Sequence, residues 1–392
     1  MIKVFTQLKM IAQGVPSVTI KTNNYKQMKK LILIRCFMLA TLLMPLIVNA
    51  QFTDTKEINK TYPVLPETQI EIQNKYGKIE IRTWDKDSVA FNIKIRVEEK
   101  KLSKLEESIR DIDFDITNSE HYLIVRTDVE KNKSSLGKEI NRFKETLLQS
   151  EGNIQVDYIV FMPNSNRLKL ENKFGDIYIG DYNGEININL SNGNLKAHNF
   201  ENQIDLTLNF ADASINSIKR GRLECNFSEL FIRDAESVRI QSKSTEFEFE
   251  QISNLDANSR RDKFRIRRAD IIEARSSFTS FRLNEITDRI NIRSEYGNID
   301  IDKITPDFNN INLESKSMDI NIYFEPETAF NFEIVNTKSD VDYSSNFEIV
   351  DTEITDEKDG STKLKGYYGE KSDSAPKLYI RANSGTINLR SN

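Results

Sequence analysis

Three carboxylates, Asp212, Glu229 and Glu246, recur at a constant step of 17, and each is followed directly by an apolar residue. Carboxyl groups placed side by side carry two kinds of chemistry. One protonates and another attacks or activates water in glycoside hydrolysis, or several together hold a cation or the hydroxyls of a sugar. Stacked like charges also repel, so a row that lacks a ligand must splay into water. The fourth position in the series is Lys263, which ends the acidic row.

Cations crowd into the next stretch: Arg260, Arg261, Lys263, Arg265, Arg267, Arg268, Arg275, Arg282, Arg289 and Arg293. Arg265 and Arg282 occupy equivalent positions one step apart, and Glu248 precedes Arg265 by the same step. Two readings follow: ion pairs between successive units, or a patch that receives an acidic glycan or a partner protein.

Other chemistries have no residues to carry them. The two histidines, His121 and His198, stand far apart, and of the two cysteines only Cys225 lies beyond the first 50 residues. Zinc sites, thiol redox motifs and an intrachain disulfide are therefore not expected. No phosphate-cradling glycine loop or nucleophile elbow is present. We expect no cofactor, no metal and no catalytic residues.

The elements that position these side chains show up as a repeat. Ile204, Leu206 and Leu208, then Ala213, Ile215 and Ile218, form two short alternating runs around a turn, and the pattern returns at steps of 17 or 18. Copies begin at Leu168, Ile186, Ile204, Leu223, Val238, Leu255, Ile272 and Ile290, with a looser one at Ile311, making nine units; isolated copies lie at 70–84 and 378–389. Alternation with period two is strand. A unit this short cannot enclose its own apolar face, so the units must stack. The expected fold is all-β: a single-stranded parallel β-helix, or β-solenoid, of about nine or more short rungs, roughly 40 Å long at the inter-strand spacing. Small residues recur at one register, Cys225, Ser242, Ser259, Ser276, Ser294 and Ser315. They predict a tight inward corner where hydroxyls bond one another or the turn.

Residues 1–50 contain seven basic and no acidic side chains, with an apolar run over 31–48 and a small-residue end at Ala50. That pattern predicts a signal peptide cleaved near Ala50, hence an exported, periplasmic or cell-surface protein. Without those seven, 48 Lys and Arg face 60 Asp and Glu, a net of −12. Nucleic acid is not an expected partner, and no later segment is long and apolar enough to span a membrane. Residues 51–165 read as a small α+β capping region, with strands over 69–73, 78–84, 88–98, 121–128 and 154–163 and helices near 102–112 and 136–148. Residues 166–324 are the solenoid, and residues 325–392 a polar insertion followed by a C-terminal strand pair.

The passages QIEIQNKYGKIEIRTWDKD, LKLENKFGDIYIGDYNGEI, INIRSEYGNIDIDKI and LYIRANSGTINL resemble the strand, Asn/Ser, Gly, strand pattern of the putative-adhesin domain, a β-solenoid family of exported Bacteroidetes-type proteins. The resemblance implies a β-helix-like fold and an envelope location, and it brings no catalytic residues. The turn glycine is missing around Lys243 and Arg261. The expected function is a non-enzymatic, adhesin-like binding module for glycan or an envelope protein. The binding candidates are Asp212, Glu229, Glu246, Arg265 and Arg282. The alternatives are a carbohydrate-active enzyme using the three carboxylates, and a structural or signalling accessory of the envelope.

Overall fold

The computed structural model describes residues 52–129, 154–356 and 360–391. The expected leader and the helix expected at 136–148 lie outside the described residues. Strands β1 (Phe52–Pro63), β2 (Gln69–Asn74), β3 (Ile79–Thr83) and β4 (Ser88–Glu99) precede helix α1 (Leu102–Asp111). After it come β5 (Asp113–Asn118), β6 (Tyr122–Asp128) and β7 (Ile154–Met162). The stack is built from β8 (Leu168–Lys173), β9 (Ile177–Ile179), β10 (Ile186–Ser191), β11 (Asn194–Asn209), β12 (Asp212–Asn226), β13 (Glu229–Lys243), β14 (Glu246–Arg260), β15 (Lys263–Ile304) and β16 (Asn310–Phe324). The chain ends in β17 (Phe330–Tyr343), β18 (Phe347–Asp356), β19 (Ser361–Tyr368) and β20 (Lys377–Ser391). The fold is the expected all-β solenoid.

Successive rungs pair in parallel, with register shifts at Phe200/Gln203 and at Ile301/Ile304. Leu206 lies beside Leu223, then come Ile240, Ala257 and Ala274 in the same column. The expected small-residue column is real: Cys225 pairs with Ser242, Ser242 with Ser259 and Ser259 with Ser276, while Ser294 pairs with Ser315. Side chains of one parity point into a core that runs the length of the stack. Phe247, Phe264 and Phe281 form a buried column in it, with centroids 4.8 and 5.1 Å apart and rings within 10° of parallel.

Each rung turns at a residue in the left-handed region, φ between 52° and 65°, at Phe174, Asn192, Phe210, Phe227, Ser244, Arg261, Phe278, Tyr296, Ser317, Lys338 and Ser384. For residues with a Cβ this conformation costs about 1–2 kcal/mol. The corner is held because the strained residue's N–H donates to the next rung, Phe227 to the Lys243 carbonyl at 3.0 Å and Ser244 to that of Arg260 at 2.9 Å. The residue after it points inward. In some rungs it must be glycine: a Cβ on Gly193 would lie 2.1 Å from the Gly175 oxygen, and one on Gly297 2.0 Å from that of Thr279. In three of the rungs without this glycine, an oxygen-bearing side chain does the bonding. Ser228 Oγ accepts from Ala211 N–H at 3.2 Å, Asp262 Oδ1 from Thr245 N–H at 2.7 Å, and Thr279 Oγ1 from Asp262 N–H at 3.4 Å. Turns with different sequences thus share one geometry.

The inward column Ile204, Gly221, Val238 carries one defect, since Gly221 has no side chain to fill it. Its φ is not positive, and an added Cβ would meet only side-chain carbons, Ile218 Cγ2 at 3.1 Å being nearest. Gly221→Ala should therefore stabilise the protein by about 0.4–1 kcal/mol, mainly by restricting the unfolded chain. A higher urea midpoint at unchanged slope is the expected reading, and a lower one would mean that Ile218 cannot yield.

Both ends of the stack close by the same device. The rung made of β2 and β3 lies between later segments, β6 and β7 on one side and β8 and β9 on the other. Beyond it the pairing turns antiparallel, β7 with β4 and β4 with β1. At the other end β20 lies between β16 and β17, parallel to both, and β19 and β18 follow β17 as an antiparallel hairpin. An aromatic cluster seals this end: Phe330 stands 4.5 Å from Phe324 and 5.1 Å from Tyr368, centroid to centroid. The polar stretch 325–376 contains this hairpin and also a further rung, β17, which the repeat spacing does not reveal. In α1, Leu105 is buried and Leu102 is exposed, so only part of the expected apolar stripe packs.

Candidate functional site

Strands β12, β13 and β14 begin with Asp212, Glu229 and Glu246, and these three are direct ladder partners. They alternate with the buried Ala213, Leu230 and Phe247, so strand parity alone sends the carboxylates outward. The next outward positions are Ser214, Phe231 and Glu248, and with Asn194, Lys196 and Arg265 they line a shallow open depression of about 220 Å³.

The carboxylates are not equivalent. Glu246 pairs with Arg265 and, at 3.6 Å, with Lys263. Arg265 therefore reaches diagonally past its ladder partner Glu248. Asp212 and Glu229 remain exposed to water and have no ion pair among the described residues. The geometry brings four expected residues together, Asp212, Glu229, Glu246 and Arg265. Arg282 is one rung further on and outside the depression. Among the described residues no group of three or more His, Cys, Asp or Glu is placed to hold a metal ion. Phe231 is an addition that sequence reasoning does not supply. Its only sequence signal is a large apolar residue at a register where neighbouring rungs carry Ser214 and Glu248.

Part of the arginine crowd is committed to neighbouring rungs. Arg267 bonds Glu250 at 2.9 Å, Arg268 bonds Glu285 at 3.0 Å, and Arg293 holds Glu314 through two contacts of 2.9 and 2.8 Å. The hydrogen bonds from Arg293 hold the Glu314 carboxyl below its ordinary range. These exposed pairs fix register and contribute little stability.

Behind the outer face the serine column meets the corner column. Ser242 Oγ donates to Asp262 Oδ2 at 2.6 Å, Ser259 Oγ lies 3.2 Å from Thr279 Oγ1, and Ser276 Oγ donates to Ser294 Oγ at 2.6 Å. Asp262 is 2% exposed. Burial lifts its carboxyl above the ordinary aspartate value, against the downward pull of Ser242 and the N–H groups of Thr245 and Arg260. The folded chain thus holds this proton more tightly than the unfolded chain does. The resulting stability is complete below about pH 4 and is lost as pH rises through the raised folded value. In Asp262→Thr, which copies Thr245 and Thr279 of the flanking rungs, that slope should vanish. Urea midpoints taken from pH 4 upward should fall more steeply in the wild type; parallel curves would refute this account. Cys225, nearby and fully buried, has its thiol pushed up by burial, then by the charges of Asp262 and Glu224.

No protein-family model matches the chain, and no curated protein matches it. Among solved structures it is similar to a “putative cell adhesion protein” from Clostridium sporogenes, at 10% identity and TM-score 0.17, over 86% of this chain and 100% of that one. It is also similar to a “putative adhesin” from Bacteroides fragilis, at 9% identity and TM-score 0.22, over 86% and 97%. A third, from Parabacteroides distasonis, shares 9% identity at TM-score 0.27, over 86% and 98%.

Proposed function

We propose that the chain is a non-enzymatic surface or envelope module that binds another macromolecule along its stacked outer face. The observation that carries this reading is the fixed register of outward side chains in consecutive rungs, Asp212, Glu229 and Glu246 with Phe231 beside them. Such a face is rigid before any ligand arrives, so binding costs little ordering. It is also open and shallow, which suits a long partner better than a small molecule. Export to the periplasm or cell surface is part of the proposal and rests on residues 1–50.

An enzymatic reading is less well supported by the geometry. Hydrolysis of a glycosidic bond needs two carboxyls in contrasting environments. Asp212 and Glu229 share one environment, exposed on adjacent strands, and Glu246 is tied up by Arg265. A pull-down from the envelope, run beside a glycan array, tests the proposal, with a saturable partner as the expected result. Turnover of a polysaccharide that disappears in Glu229→Gln would replace it with the enzymatic reading.

A further inference from the structure

The strained corner residues form a line along the outside of the stack, and five of them are large exposed aromatics: Phe174, Phe210, Phe227, Phe278 and Tyr296. Phe210 stacks on Phe227 at 5.0 Å and 2°, and Phe278 on Tyr296 at 4.8 Å and 13°. Each pair therefore hides one face of each ring and leaves the outer face of each end ring outside the stack. The other faces of Phe227 and Phe278, each with a cation over it, lie on either side of two rungs whose corner residues are Ser244 and Arg261. Three rung steps, about 14 Å, separate the two rings. Phe227 is 46% exposed and Phe278 51%.

Three cations fill this gap. Lys243 Nζ lies 5.7 Å from the Phe227 centroid, and the Arg261 guanidinium 6.0 Å from that of Phe278. Arg260 is the ladder partner of Lys243. All three are exposed, and among the described residues none has a carboxylate at ion-pair distance, unlike most of the basic stretch around them. Two acids close to them in sequence are engaged elsewhere, Glu246 with Arg265 and Lys263, and Asp262 with Ser242 and the backbone. In a chain of net charge −5, an unneutralised cationic gap between two exposed rings, each with a cation over it, is a local exception.

We infer that this corner takes a segment of anionic polysaccharide. Sugar faces lie against the end faces of Phe227 and Phe278, and carboxylate or sulfate groups meet Lys243, Arg260 and Arg261. Guanidinium forks bind such oxyanions in two-pronged fashion, and the flanking aromatic faces supply apolar contact that a simple polyanion would not use. The inference rests on the binding-module reading and names its ligand class.

The purified full chain, titrated with alginate, chondroitin sulfate, neutral dextran and phosphatidylglycerol vesicles, provides the test. At least one acidic glycan should bind and dextran should not. The triple variant Lys243→Gln, Arg260→Gln, Arg261→Asn should weaken that binding tenfold or more, whereas Arg239→Gln, at an exposed arginine paired with Asp256, should change it less than threefold. Asparagine tolerates the left-handed corner, so an unchanged melting temperature is expected for the triple variant. Glycan binding that survives in the triple variant overturns this assignment and leaves the binding-module reading standing. Vesicle binding in place of glycan binding does the same. Absence of binding to every probe and to the whole envelope fraction overturns both.

Discussion

Phe264→Ala is expected to cost about 3–5 kcal/mol, the usual penalty for emptying a fully buried aromatic site. Phe264 is 1% exposed and stands between Phe247 and Phe281, so its loss leaves a void flanked by two rings that cannot close on each other. The variant should also lose cooperativity. In a stacked repeat each rung is coupled only to its neighbours, and a weak rung near the middle divides the molecule into two parts that unfold separately. The single tryptophan, Trp84, reports on the N-terminal part, where its Nε1 donates to the Ser88 carbonyl at 2.8 Å. Fluorescence and far-ultraviolet dichroism should coincide in the wild type and separate in the variant. Coincident curves shifted by less than about 1 kcal/mol would contradict this. As a control, Phe231→Ala, on the outer face, should cost under about 1 kcal/mol.

Removing the last strand should have a still larger effect, confined to one end. A chain ending at Pro376 lacks β20, and so leaves β16 and β17 each facing an empty slot. It also loses the buried Leu378, Ile380, Ile387 and Leu389 from the core. Four such side chains contribute roughly 1.5–3 kcal/mol each on burial, before the exposed strand edges are counted. Beyond β16 the truncated protein should be open to protease, while the Trp84 signal unfolds at its normal midpoint. Equal protease resistance of the full and shortened chains would disprove the insertion of β20.

The stack was legible because strand parity and step length both survive in the letters. Leu206, Leu223 and Ile240 follow one another at the constant step, and so do Ser242, Ser259 and Ser276. The acidic row was legible for the same reason. The corner aromatics were not, since their position is defined by backbone conformation, and Phe, Asn, Ser, Arg, Tyr and Lys all occupy it. Asp262 was missed because the inward corner column accepts glycine, alanine, serine, threonine or aspartate according to how closely the next rung approaches. β17 escaped because its neighbour in space, β20, comes only after the β18–β19 hairpin and the loop behind it, so no constant step links them. The strands β1 and β5 escaped for a different reason: both are edge strands, with mostly solvated side chains and little alternation.

The interior placement of β20 also bears on how the molecule is made. Proteins emerge from the ribosome N-terminus first, and early segments fold while later ones are still being synthesised. Here the gap between β16 and β17 has to wait for the final strand of the described chain. A product cut short by a premature stop or a clipped tail therefore lacks an inner layer of this end of the stack, between β16 and β17.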